Sequence, residues 1–144
     1  MLVRCLYASR AVQMGRPLVE SILAQSRRNN PAHGITGILC HCENIFIQVL
    51  EGGRDEVGTL FSTIVRDDRH GGVRILSHEE IGERRFGHWA MGQVEAAKVN
   101  QALLLKYSAR ATLNPFDMPG SATMSLLDEL VATVAELKIR LLPI

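Results

Sequence analysis

The stretch Ser26-Arg27-Arg28-Asn29-Asn30-Pro31-Ala32-His33-Gly34-Ile35-Thr36-Gly37, taken with Ile45-Phe46-Ile47-Gln48-Val49-Leu50-Glu51-Gly52 further on, decides how this chain is read. Upstream of it, Val19, Ile22 and Leu23, with Ser26 one turn on, share a face of a helix. The helix stops on two asparagines and a proline. Asparagine tolerates the left-handed conformation at a helix C-terminus, and the residue before a proline avoids the helical region. Two apolar runs of strand length follow, Ile35 to Cys42 and Ile45 to Leu50. In the second, Phe46, Gln48 and Leu50 point to one side. If that side is core, a primary amide is buried there with two donors and an acceptor to satisfy, at a cost of about 1–3 kcal/mol if it fails. Gln48 therefore faces solvent, a polar ligand or a polar side chain.

Working outward, Leu2 to Ala8 is a short apolar run with Val3, Cys5 and Tyr7 on one face, which reads as a first strand. Residues 12–16 are a loop, and Pro17 suits the first turn of the helix, where its missing N–H costs nothing. Glu43-Asn44 is a tight hairpin turn in which Asn44 takes positive φ. After Gly52-Gly53, Asp55 and Glu56 fall in the first turn of a second helix, where carboxylates complement the dipole. Its apolar stripe is Val57, Leu60, Phe61, Ile64 and Val65. The polar cluster Asp67 to Gly72 ends it. Two more strands are expected, Val73 to Ile81 and Phe86 to Val94, with Trp89 and Met91 sharing a face of the second.

The order β-α-β-β-α-β-β predicts an α+β fold: a ferredoxin-like mixed sheet with both helices on one face. The other face needs a cover, which the tail supplies. A short helix around Gln101 to Lys106 and a final helix with Leu127, Leu130, Val131, Val134, Leu137 and Leu141 at helical spacing form a C-terminal helical extension. The boundaries expected are 1–96 for the core and 97–144 for the extension.

With 144 residues, 47% apolar and 22% charged, one globular core is expected, and neither a disordered nor a membrane chain. A net charge of +1 and scattered basic residues give no footprint for nucleic acid. Met1 to Tyr7 is too short an apolar stretch to read as a signal peptide, and no apolar run approaches about 18 residues, so a cytoplasmic protein is expected. Three cysteines without Cys-x-x-Cys spacing argue against disulfides and structural zinc. In Cys40-His41-Cys42 the imidazole of a strand points away from the two sulfurs, so no metal is expected.

Taken together, Ser-Arg-x-Asn-Asn-x-x-x-Gly-Ile-Thr-Gly, Phe-x-Gln-x-Leu-Glu-Gly, Asp-x-Arg-His and Arg-Phe-x-x-Trp-x-Met resemble the BLUF domain, a flavin-binding sensor of blue light. The resemblance runs from Leu2 to about Val94, in the family's order and spacing. It implies non-covalent FAD and a non-enzymatic response. In such domains the tyrosine at the place of Tyr7 gives an electron and a proton to the excited flavin, and the glutamine at Gln48 bridges the two. By the same resemblance Asn30, with Asn29 nearby, meets the flavin ring edge, and Arg69 and His70 its pyrimidine side or the phosphates. Ile22 and Ile64 sandwich the ring, Phe46 shares the Gln48 face, and either Trp89 or Met91 lies beside the glutamine and passes the signal on. Gly92 directly after Met91 and Cys40-His41-Cys42 depart from common family patterns.

From the residues alone, Tyr7 is equally a strand aromatic, Asn29 and Asn30 a helix cap, Arg69 and His70 a solvated helix end, and Trp89 and Met91 ordinary core. A ferredoxin-like hydrolase of the acylphosphatase kind, using Arg69 with Asn29 or Asn30, and a flavin-free interaction module are the rival readings. The chain is expected to stand alone without an output domain, signalling to a protein partner in trans or through a homo-oligomer.

Overall fold

The computed structural model describes residues 1–95 and 101–136. Nine elements carry the fold: β1 (Leu2–Ala11), α1 (Arg16–Asn29), β2 (Thr36–Cys42), β3 (Ile45–Gly53), α2 (Arg54–Val65), β4 (His70–Ile81), β5 (Gly92–Glu95), α3 (Gln101–Tyr107) and α4 (Gly120–Glu136). The five strands form one mixed sheet in the order β4-β1-β3-β2-β5. β3 lies antiparallel between β1 and β2, so that β1, α1 and β2 make a split crossover, and β5 joins β2 in parallel. This is the α+β arrangement expected.

The strand period divides the side chains into two cores. Val3, Cys5 and Tyr7 of β1, Leu39 of β2 and Phe46 and Leu50 of β3 pack under Val19 and Leu23 of α1 and Val57 of α2. Leu6, Ala8, Ile38, Ile47 and Val49 point the other way and pack against Leu104 of α3 and Leu126, Leu127 and Leu130 of α4. The tail therefore covers the second face. Gly120 opens α4 where a Cβ would stand 2.3 Å from the Leu76 carbonyl, so the helix begins in direct backbone contact with β4. Leu137 and Leu141 lie outside the described residues, as does the side chain of Val134. Among the described residues no helix is long and apolar enough to cross a membrane.

Several local expectations are corrected. Residues 86–91 form turns with an isolated bridge at Trp89, and β5 is only four residues long. Its ladder with β2 runs from Ile38–Gly92 to His41–Glu95. Consequently Trp89 and Met91 do not share a face: Trp89 packs with Phe86 on the α4 side, while Met91 is buried on the α1/α2 side. β4 begins at His70, and β1 runs on to Ala11. In the hairpin it is Glu43, not Asn44, that takes positive φ (51°). Asn30 is right-handed helical (φ −60°, ψ −42°) despite Pro31, because the chain continues into a 3₁₀ turn over Pro31–His33. Its carbonyl there accepts from His33 and Ile35 N–H, both at 3.0 Å. Val65, expected in the α2 stripe, is 49% exposed at the helix end.

Candidate functional site

The two helices on the first face stand apart over the middle of the sheet. Each lines the gap with the same spacing: Ile22, Gln25, Ser26 and Asn29 from α1, and Leu60, Thr63, Ile64 and Asp67 from α2 and its exit. Positions i, i+3, i+4 and i+7 form one helical stripe. Tyr7, Leu39, Phe46 and Gln48 form the floor, and the cleft holds about 700 Å3 of empty space, part of it open to solvent.

Tyr7 and Gln48 are cross-strand partners in the β1–β3 ladder, so backbone pairing alone brings phenol and amide together. The Tyr7 hydroxyl donates to Gln48 Oε1. Gln48 Nε2 donates in turn to Met91 Sδ at 3.5 Å. A thioether is a weak acceptor, so the amide N–H of this buried glutamine is held loosely. Burial pushes the Tyr7 phenol far above its ordinary value of 10.0, which keeps its proton in place. The Phe61 and Tyr7 rings pack edge to face, with centroids 5.5 Å apart.

Asn30 is buried, and its Nδ2 donates to the Ala90 carbonyl at 2.8 Å. Arg27 Nε donates to the Met91 carbonyl at 3.0 Å. The end of α1 thus grips the turn that carries Met91. At the other side of the cleft, Arg69 Nη atoms donate to Ser21 Oγ at 3.3 Å and Gln25 Oε1 at 3.0 Å, bridging to α1. Arg69 Nε also pairs with the Asp67 carboxylate at 2.9 Å. That hydrogen bond holds the Asp67 carboxyl below the usual carboxylate range. His70 Nε2 contacts the Ile64 carbonyl at 2.6 Å and must donate there, leaving Nδ1 to accept from the Ser9 hydroxyl at 2.7 Å.

Tyr7, Ile22, Asn29, Asn30, Phe46, Gln48, Ile64, Arg69 and His70 all line this one cleft. Met91 touches it through Gln48, whereas Trp89 lies behind the sheet with its ring centroid 6.4 Å from that of Phe86. Sequence reasoning did not assign Gln25, Ser26, Leu39, Leu60, Thr63 or Asp67 to the site. The repeated helical spacing is the signal that would have found those on the helices. Arg69 is engaged by Asp67, Ser21 and Gln25 and so bridges the two walls of the cleft.

The residues present suit a flat heteroaromatic ring. Ile22, Leu60 and Ile64 offer apolar walls for its faces, while Gln48, Asn29 and Asn30 offer amides to its edge and Arg69 a cation to an anionic tail.

Comparison with known proteins agrees. A structure titled as the photo-activated state of BlsA superposes with a TM-score of 0.82 at 31% identity, covering 91% of this chain and 95% of that one. The dark-state structure of BlrB, titled a BLUF protein, gives 0.74 at 31% identity, covering 92% and 96%. The beta subunit of the photoactivated adenylate cyclase of Euglena gracilis is 33% identical over 87 residues, 59% of this chain but only 10% of that protein. The family model for sensors of blue light using FAD matches residues 2–92, and the chain belongs to that family, BLUF.

Proposed function

We propose that FAD binds in the cleft between α1 and α2 and that the chain Tyr7–Gln48–Met91 is the element that answers light. The observation that carries this is the single hydrogen-bonded file from phenol to amide to thioether on the cleft floor. When bound, the flavin supplies blue-light absorption and an excited state able to draw an electron from a nearby phenol. The residues do the rest. As the Tyr7 phenol is oxidised, its proton passes to its hydrogen-bond acceptor, Gln48 Oε1. Tyr7 regains electron and proton on the return, so nothing is consumed. Between the two steps the Gln48 amide rotates or tautomerises, and its donor and acceptor exchange places.

The consequence falls on Met91. A thioether cannot donate, so an amide that turns Oε1 toward Sδ leaves acceptor against acceptor and the contact is lost. The segment that ends at Met91 carries that change to Trp89, which packs against the core formed with Leu126, Leu127 and Leu130 of α4. Residues 1–96 are thus the sensing unit and 97–144 the extension that receives its signal. Output passes to a protein partner in trans or through a change of homo-oligomer, with a coupling of about 1–3 kcal/mol.

The test is to load the purified protein with FAD and compare its absorption in darkness and under blue light, with light scattering on the same samples. A small red shift that reverts in darkness, accompanied by a light-dependent mass or partner affinity, is expected. Protein that cannot be reconstituted with flavin overturns the reading. An unchanged mass together with unchanged affinity for every partner found overturns the output step alone.

A further inference from the structure

Glu51 lies three residues beyond Gln48 on β3, with its side chain on the opposite face and none of its surface exposed. Its carboxylate accepts from Phe86 N–H at 2.6 Å, from Arg85 N–H at 3.0 Å and from Arg4 Nε at 2.8 Å. Arg4 is itself held by Glu79 at 3.0 Å. Beside it, Arg84 Nη1 donates to the Glu51 carbonyl at 3.2 Å and to Thr36 Oγ1 at 3.0 Å.

What this cluster holds is the start of the segment that ends at Met91. Residues 85–91 have no continuous ladder, since β5 begins only at Gly92. The segment is tied at two ends of different character. At 89–91 the ties are three separate carbonyls, each with one donor from a different place: Trp89 takes Gly37 N–H at 3.2 Å, Ala90 takes the neutral Asn30 Nδ2 and Met91 takes the cationic Arg27 Nε. Gly37 is obligatory at that crossing, because a Cβ there would stand 1.9 Å from the Val49 carbonyl. At 85–86 two adjacent backbone donors converge on one buried, arginine-paired carboxylate, both bonds charge-assisted, whereas of the three ties at 89–91 only the one from Arg27 is.

We propose that Glu51 is a positioning residue for the light response, the fixed anchor of residues 85–91 that sets where the Met91 sulfur stands against the Gln48 amide. This rests on the light-sensing reading above. When Gln48 exchanges donor for acceptor, the weak end at 89–91 yields and the Glu51 end stays. Return to the dark state then depends on the anchored turn bringing Met91 back.

Two measurements on the FAD-loaded full chain decide it. In amide NMR spectra, the Arg85 and Phe86 signals are expected to keep their positions under steady blue light while those of Ala90 and Met91 move. Equal movement at both ends overturns the proposal. The second is a cycle of Glu51→Gln and Met91→Ala read by the dark-recovery rate. Glu51→Gln should keep the size of the red shift and slow recovery by about threefold or more, and it should add nothing in the Met91→Ala background. An unchanged rate, or the same change in both backgrounds, makes Glu51 a fold residue only and overturns the proposal. Should Glu51→Gln fail to fold, the NMR comparison on the unaltered chain decides alone. An unaltered chain with no red shift removes the light-sensing reading and this proposal together, before any variant is made.

Discussion

Ile47, Gln48 and Val49 are consecutive on β3, yet they meet two different interiors. On the α4 side, Ile47 and Val49 enter a closed apolar core filled by Leu126, Leu127 and Leu130. On the α1/α2 side, Gln48 enters a cleft floored by Tyr7 and Phe46, whose walls stay apart. The sheet is the same and the packing partner differs. The apolar stripe of α4, with Leu104 of α3, seals its face, whereas two helices with mixed stripes at Ile22/Gln25/Asn29 and Leu60/Thr63/Asp67 leave room for a ligand. A protein interior is close-packed where stability alone is served. An amide on a loose thioether acceptor beside an open cleft is the exception that function explains.

The sharpest way to break this contrast is on the cleft floor. Tyr7→Phe and Gln48→Leu each should retain FAD and lose the red shift entirely, since each removes one end of the phenol–amide bond while burial and the other polar contacts still hold the ring. Light-minus-dark absorption of the loaded variants is the check. A normal shift in Tyr7→Phe would refute the mechanism without touching the fold.

The second comparison sets one leucine from each side against the other. Leu126→Ala in the sealed core should cost about 2–5 kcal/mol, transfer plus cavity. Leu60→Ala on the cleft wall removes contacts from a site already open, and in flavin-free protein should cost only about 1 kcal/mol. Urea unfolding of both variants measures the difference, and equal costs would mean that the cleft is closed in solution.

Asn30→Ala comes next. It strips the Ala90 carbonyl of its donor and the cleft of an amide, and should lower FAD affinity by about 1–3 kcal/mol. Fluorescence titration with FAD reads it. An unchanged affinity would make Asn30 a brace of the turn alone.

The smallest effect is a pH dependence that samples both faces. Burial raises the Cys5 thiol under α1 from 9.0 to about 11 and the Cys40 thiol under α4 from 9.0 to about 12. In both, the folded value lies above the unfolded one. Their neutral forms therefore contribute fully below the unfolded value of 9.0, and that contribution is lost as pH rises above it. At about pH 9.5 the loss should be just under ~1 kcal/mol for each thiol. Denaturant midpoints should stay flat from about pH 7 to 8 and then fall, and Cys5→Ala and Cys40→Ala should each flatten part of the fall. A flat profile in the unaltered chain would mean that the thiols are solvated in the folded state.

The sequence by itself determined the order of the elements, the two helical stripes, the hairpin, the tail helix and the isolated amide at Gln48. These are carried by periodicity and punctuation within a few residues, and they survive folding because each element buries the stripe its own spacing creates. Only the tertiary structure decided what happens between Ile81 and Gly92. Phe86 to Met91 has strand-like composition, but its backbone groups are claimed by Glu51, Gly37, Asn30 and Arg27. A segment held from four directions cannot keep the two-residue alternation of a strand. That is why Trp89 and Met91, two positions apart, end on opposite faces, and why Met91 rather than Trp89 rests against Gln48. Asn30 shows the same in miniature: its backbone runs on into the 3₁₀ turn while its side chain is fixed on the distant Ala90 carbonyl, and a local preference of the order of 1 kcal/mol yields.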